Sequence, residues 1–151
     1  MGNPEKKKNV FLYFSDSECE YLVAERREIF SKTNVKEEAK ETINELIKGP
    51  KSELVPTISP QTKLLDLQIQ EEGLATVDFD KTLASDHPGG SSAEILTIYS
   101  IVNSLNLNFP QIKRVWFLVE GQPVESIAGH LSLKKPVSPD PYFIKKKRRK
   151  R

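Results

Sequence analysis

The chain has 151 residues, 37% hydrophobic and 29% charged, an ordinary globular composition with room for one core and none for a second sandwich-sized domain. Its formal charge of +2 conceals a division: Lys145, Lys146, Lys147, Arg148, Arg149, Lys150 and Arg151 are seven of the 23 basic residues, so the remainder carries 16 basic against 21 acidic side chains, a net −5. A single cysteine, Cys19, excludes an intramolecular disulfide and a cysteine zinc site, and no run reaches the roughly 20 apolar residues that cross a bilayer as a helix.

Residues 1–8 read as a disordered N-terminal segment without the apolar core of a signal peptide, and Lys6 breaks the myristoylation pattern. Asn9-Val10-Phe11-Leu12-Tyr13-Phe14 predicts a first strand buried on both faces, ended by the turn-forming Ser15-Asp16-Ser17. A second, more exposed antiparallel strand is expected over residues 21–29, within hairpin reach. Cys19, between them and far in sequence from either histidine, reads as a small loop or strand-end residue rather than a reactive thiol.

Asn34 is an N-cap candidate with Glu37 three residues on, and Val35, Ala39, Ile43, Leu46 and Ile47 then recur at helical spacing up to Gly49-Pro50. Residues 51–62, with two prolines, predict an irregular crossover pinned by Leu54, Val55 and Ile58. Leu65, Leu67 and Ile69 alternate with Asp66, Gln68 and Gln70 as in a half-buried strand. Its expected hairpin partner is Leu74-Ala75-Thr76-Val77-Asp78-Phe79, through a tight turn in which Gly73 takes positive φ.

A polar connection over 80–88, with a helical turn near Leu83, leads to a second helix. There Ser91 is the expected cap, Glu94 reaches back to its N–H, and Ile95, Ile98, Tyr99, Val102 and Leu105 line one face. Residues 112–119 carry the strongest strand signal, turned at Glu120-Gly121-Gln122-Pro123. The fold class is therefore α/β (α+β): a single domain over 9–136 in the order β-β-α-β-β-α-β. Its mixed, mainly antiparallel sheet of about five strands carries two helices on one face, and residues 137–151 form an extended basic tail.

Four segments in order carry a resemblance: Gly89-Gly90-Ser91-Ser92-Ala93-Glu94, Ile101-Val102-Asn103-Ser104-Leu105, Val115-Trp116-Phe117-Leu118-Val119-Glu120-Gly121, and Gly129-His130. Together they resemble the GerMN domain, found in sporulation and spore-germination proteins and in other bacterial envelope proteins. The opening strands and the 74–79 strand are similar to that domain too. The resemblance implies an α/β domain outside the cytoplasmic membrane, behind an N-terminal signal or anchor. It implies an accessory or scaffolding role in envelope, spore or cell-wall assembly, and no catalytic residues. Gly89, Gly90, Ser91, Glu94, Gly121, Gly129 and His130 are its signature positions, read first as structural.

Several of these residues are of types that can carry chemistry. A glycine-rich turn before a helix can hold an anion, yet Pro88-Gly89-Gly90-Ser91-Ser92 lacks the lysine and spacing of a P-loop. Asp78, Asp80, Asp86, His87 and His130 are metal-ligand types, but two histidines 43 positions apart form no ligating pair, and His130 reads as a hydrogen-bonded turn residue. Ser91 or Ser92 with His130 would supply hydrolase residue types without the Gly-x-Ser-x-Gly elbow. Glu25, Glu28 and Glu120 read as carboxylates on solvated strand faces. The seven-cation tail attracts any polyanion, an anionic membrane surface or polymer before specific nucleic acid, because no aromatics interleave the charges.

The reading is a non-enzymatic accessory module of the bacterial envelope with a protein or cell-wall partner and no cofactor or metal. It is expected to be extracytoplasmic where an anchor precedes Met1, and cytoplasmic otherwise. The alternative is a small-ligand or polyanion-binding module using the helix start at Gly89, Gly90, Ser91 and Ser92, or the tail. A third reading places an enzyme site between the 80–92 and 127–130 segments.

Overall fold

A computed structural model of the chain describes residues 6–146. Two strands, β1 (Lys7–Ser15) and β2 (Leu22–Phe30), form an antiparallel hairpin in one-to-one register. The first strand begins at Lys7, inside the segment expected to be disordered; residues 1–5 lie outside the described residues. Only one face of the hairpin is covered. Val10, Leu12 and Phe14 are fully buried, while Phe11 on the other face is 46% exposed, against the expectation of a strand buried on both sides.

Helix α1 (Val35–Lys48) starts as its sequence directs, with the Asn34 side chain accepting from the Glu37 N–H at 2.9 Å. Arg27 faces inward from β2 opposite Val10 and ties the hairpin to the end of α1. Its guanidinium pairs with Glu25 at 2.6 Å and Glu45 at 3.0 Å, and donates to the Gly49 carbonyl at 3.0 Å. Glu25 is thus no solvated carboxylate: it also accepts from the N–H groups of Lys51 and Ser52 and from the Ser52 hydroxyl.

Burial alone would raise the Glu25 pKa, but those bonds and the Arg27 guanidinium outweigh it and hold the pKa at about 2. The stability this adds is present above the ordinary value of 4.5 and is lost as pH falls through the folded value. Between about pH 5 and about pH 2 the wild type is expected to lose about 2 kcal/mol more unfolding free energy than Glu25→Gln, after allowance for solvent screening. Urea titrations of both proteins across that range check this.

The second sheet runs β3-β4-β5-β6, with β3 (Leu64–Ile69), β4 (Leu74–Phe79), β5 (Arg114–Val119) and β6 (Gln122–Pro123). β3 and β4 are antiparallel, β4 and β5 parallel, and β5 and β6 antiparallel. A register shift between Leu64 and Asp66 breaks the alternation expected of β3: Leu65 points outward at 49% exposure, while Leu67 is buried. The parallel step from β4 to β5 is bridged by α2 (Thr82–Ser85) and α3 (Ser91–Asn108), as a parallel pair requires.

The strands divide into two sheets rather than one because α3 covers the edge along which β1 would have continued. The Asn108 side chain accepts from the Phe11 N–H (2.8 Å) and donates to the Phe11 carbonyl (2.7 Å), standing in for a strand residue. Ser104 Oγ accepts from the Tyr13 N–H, and beyond them Ser15 pairs with Val55 of the crossover. Val55 therefore pins the crossover through its backbone, its side chain being 41% exposed, and Ile58 through burial. α3 is buried nearly all round rather than along one stripe, since both β1 and β5 contact it.

After β6 the chain returns to the sheet, where Val137 pairs with Val115. A short 3-10 helix, Pro141–Phe143, follows, with Phe143 stacked on Tyr99 at 4.7 Å. Ile144 then bridges Leu22, so residues 137–145 are built onto the body rather than leaving it as a tail.

Candidate functional site

Six of the seven signature residues, all but Gly121, gather at the N-terminal end of α3. Gly90, not Ser91, is the N-cap residue, and no side chain caps the helix there. Glu94 does not reach back to the helix start. Its carboxylate is fully buried and turns toward the 126–131 loop, where Oε1 accepts from the His130 N–H (2.8 Å) and Oε2 from the N–H groups of Ala128 (3.1 Å) and Leu131 (3.2 Å). The His130 ring completes the set, with Nδ1 3.2 Å from Oε1. Burial raises the Glu94 pKa, but the three backbone donors and His130 outweigh it and keep the carboxyl below its ordinary value.

The glycines serve this construction. Gly129 donates to Ser126 Oγ within the loop, and the Gly89 N–H donates to His87 Nδ1 at 2.9 Å just before the helix. That bond assigns the His87 proton to Nε2, which donates to Thr97 Oγ1 (3.0 Å); Thr97 in turn donates to the Thr57 carbonyl (2.6 Å). Burial pushes the His87 pKa down, as the neutral ring in this chain of bonds requires. Gly121 lies apart, in the β5–β6 turn, its N–H donating to Asp78 Oδ1.

The 127–130 segment is held by Glu94, two residues past the 80–92 segment, and no hydrogen bond joins the two segments themselves among the described residues. No hydrogen bond links Ser91 or Ser92 to His130 among the described residues, and both serines are exposed on the first turn of α3. The acidic side chains are separately engaged: Asp78 with Gly121, Asp80 with the N–H groups of Lys63 and Thr82, and Asp86 with the Ser59 hydroxyl. Among the described residues no three histidine, cysteine or acidic side chains come together as a metal would need. Glu120 accepts from the Lys81 N–H across the same end of the sheet.

Beside the helix start lies a cleft of about 290 Å³ lined by Val55, Ile58, Leu83, His87, Leu96 and Thr97 among others. Its walls are largely apolar, and both ring nitrogens of His87 are already bonded. Of the tail, Lys145 and Lys146 are exposed beside Tyr21 and Tyr142, and Lys147, Arg148, Arg149, Lys150 and Arg151 lie outside the described residues. No helix among the described residues is long and apolar enough to cross a membrane.

Residues 11–125 match the Germane family, described as sporulation and spore germination. The chain belongs to this family. Its Germane fold is similar to that of a candidate lipoprotein from Clostridium perfringens, at 24% identity over 91% of this chain and 93% of that one, with a TM-score of 0.64. The first GerMN domain of the sporulation protein GerM from Bacillus subtilis is similar at 17% identity, over 87% of this chain and 97% of that one, with a TM-score of 0.70. Against the tandem GerMN domains of the same protein (22% identity, TM-score 0.64), 93% of this chain spans 49% of that one. A search of curated proteins finds no match.

Sequence reading of this Germane domain missed the polar residues inside α3. Thr97, Ser100, Ser104 and Asn108 recur at helical spacing and bond to the crossover and to β1. Asn103 exchanges two bonds with the backbone of Asp140, fixing the C-terminal segment. The signal was present: a polar stripe at three- and four-residue intervals on an otherwise apolar helix.

Proposed function

We propose that the chain is a non-enzymatic accessory module of the bacterial cell envelope, serving sporulation, germination or cell-wall assembly from outside the cytoplasmic membrane through protein or cell-wall contacts. Membership of the sporulation and spore germination family supports this reading, as does the fold shared with GerM domains and a candidate lipoprotein. The observation that carries it is the use made of the signature residues Glu94 and His130 and of His87 beside them. Glu94 spends its carboxylate on three backbone N–H groups and the His130 ring, and His87 spends both nitrogens on Gly89 and Thr97. These polar groups position loops, and the hydroxyl beside His87, that of Thr97, is buried and itself donates to the Thr57 carbonyl.

The test is a panel of peptidoglycan fragments and esters, run alongside binding to purified cell-wall sacculi. Wall or protein binding without turnover is the expected result. Robust hydrolysis that disappears in Ser91→Ala, Ser92→Ala or His130→Ala while the fold persists would overturn the reading.

A polyanion-binding role is the second reading, favoured by one observation: the Lys145 N–H donates to the Leu22 carbonyl at 2.8 Å, so the cations start from a fixed point on the body. Such binding weakens steeply as salt rises, whereas an apolar interface does not.

A further inference from the structure

We propose that the corner at which Lys145 and Lys146 stand is a docking surface for an anionic lipid bilayer. Three features coincide there. Tyr142 is 71% exposed and Tyr21 36% exposed, and both line a groove of about 470 Å³ with Pro141, Ile144, Lys145 and Lys146. Tyr142 is held in place, edge-on to Phe143 at 5.3 Å, while Phe143 stacks on Tyr99 at 4.7 Å. An exposed aromatic ring so braced loses little freedom on binding.

The second feature is the anchoring of the chain direction. The Ile144–Leu22 bridge and the bond from the Lys145 N–H to Leu22 fix Lys145 and Lys146 beside the tyrosines, and five more cations follow in the sequence. Lys145 Nζ, its side chain exposed, stands 3.9 Å from Oδ2 of the nearly buried Asp16, a long pair from which the lysine can turn to a phosphate. The third feature is the partition of charge. The remainder of the chain carries a net −5, so a long polyanion lying along it meets repulsion. A planar surface touches one corner only, and the charge beyond about 8 Å is screened at physiological salt.

Phenol rings and clustered lysines suit the headgroup layer of a bilayer, where the ring body meets the acyl boundary, the hydroxyl stays wet and the ammonium groups meet phosphate. Each cation brought near such a surface strengthens binding by about fivefold. The inference rests on the envelope reading for where a bilayer is met. Its vesicle assay needs neither a protein partner nor turnover, so its failure would leave the hydrolysis and wall-binding tests standing.

The experiment is sedimentation of the full chain with vesicles of phosphatidylcholine alone or with about 30% phosphatidylglycerol, at about 0.15 M salt, with soluble polyphosphate as the comparison polyanion. Association with the anionic vesicles and not the neutral ones is expected. The double variant Tyr21→Ser/Tyr142→Ser is expected to weaken vesicle association about tenfold and leave polyphosphate binding unchanged, while Lys145→Gln/Lys146→Gln weakens both. Equal vesicle binding by the tyrosine variant and the wild type would overturn the proposal, as would equal loss of polyphosphate binding or no vesicle binding at all. Unchanged Trp116 emission and far-ultraviolet circular dichroism establish that the variants are folded.

Discussion

Replacing Glu94 by alanine is expected to lower the unfolding free energy by about 4 kcal/mol at pH 7, and replacing it by glutamine by about 2 kcal/mol. The side chain is fully buried, and its two oxygens accept from three backbone N–H groups of the 126–131 loop. Alanine leaves these donors without a partner, each at about 1–3 kcal/mol, reduced where the loop can relax toward water. Glutamine keeps one acceptor oxygen but turns an NH₂ group toward donors. A helix cap at this position would behave otherwise: loss of a capping carboxylate costs about 1 kcal/mol, and glutamine caps nearly as well. Urea unfolding of the two variants measures the difference, and amide exchange at Ala128, His130 and Leu131 locates it. Equal, small effects of both substitutions would restore the capping role.

Glu94 shows which parts of the fold and site are legible in the sequence. Its proximity to a helix start follows from Ser91 and the local spacing, and its choice of partner does not. A capping box is a local pattern, and a buried carboxylate is settled by which donors a distant loop delivers, here 34 to 37 residues away. Arg27 and Glu25 show the same limit. Alternation along β2 places them on the inner face with Val23 and Ile29, but the charge of Glu25 argued for solvent. What decided the matter was the end of α1, whose Glu45 side chain and Gly49 carbonyl receive the guanidinium.

Elements set by short-range chemistry are legible in the sequence: the Asn34 cap, the turn at Gly73 and the order of strands and helices. The division into two sheets is not readable in the same way, because it depends on Ser104 and Asn108 meeting the edge of β1 some 90 residues earlier. An amide that both donates to and accepts from one residue's backbone does for β1 what a neighbouring strand would do. The same helix therefore separates the sheets, covers the core and, through Thr97 and Glu94, braces the two loops at its start. The signature positions are thus concentrated where one helix holds several segments, and the outward-facing tyrosines and lysines stand on a scaffold they do not help to build.

Gly73→Ala is expected to cost about 3–4 kcal/mol, from two causes that a control separates. Gly73 lies in the turn between β3 and β4 at φ 87°, where an L side chain is strained by about 1 kcal/mol or more. Crowding costs more than this strain. A Cβ there would stand 2.8 Å from the Gln111 carbonyl oxygen and 2.6 Å from Lys113 Cγ; the lysine chain can swing away, and the carbonyl can move only with its backbone. The Gly73 carbonyl also receives the N–H groups of Lys113 (2.7 Å) and Arg114 (3.2 Å), so displacing the 111–113 segment pulls at the start of β5, where Arg114 pairs with Leu74. Gly49 has a similar φ of 92° and nothing within 4 Å of its Cβ position, so Gly49→Ala bears the conformational strain alone and should cost about 2 kcal/mol. Thermal and urea unfolding of the two variants give the contrast directly, and equal losses would show that the close approach of Gln111 to Gly73 contributes nothing.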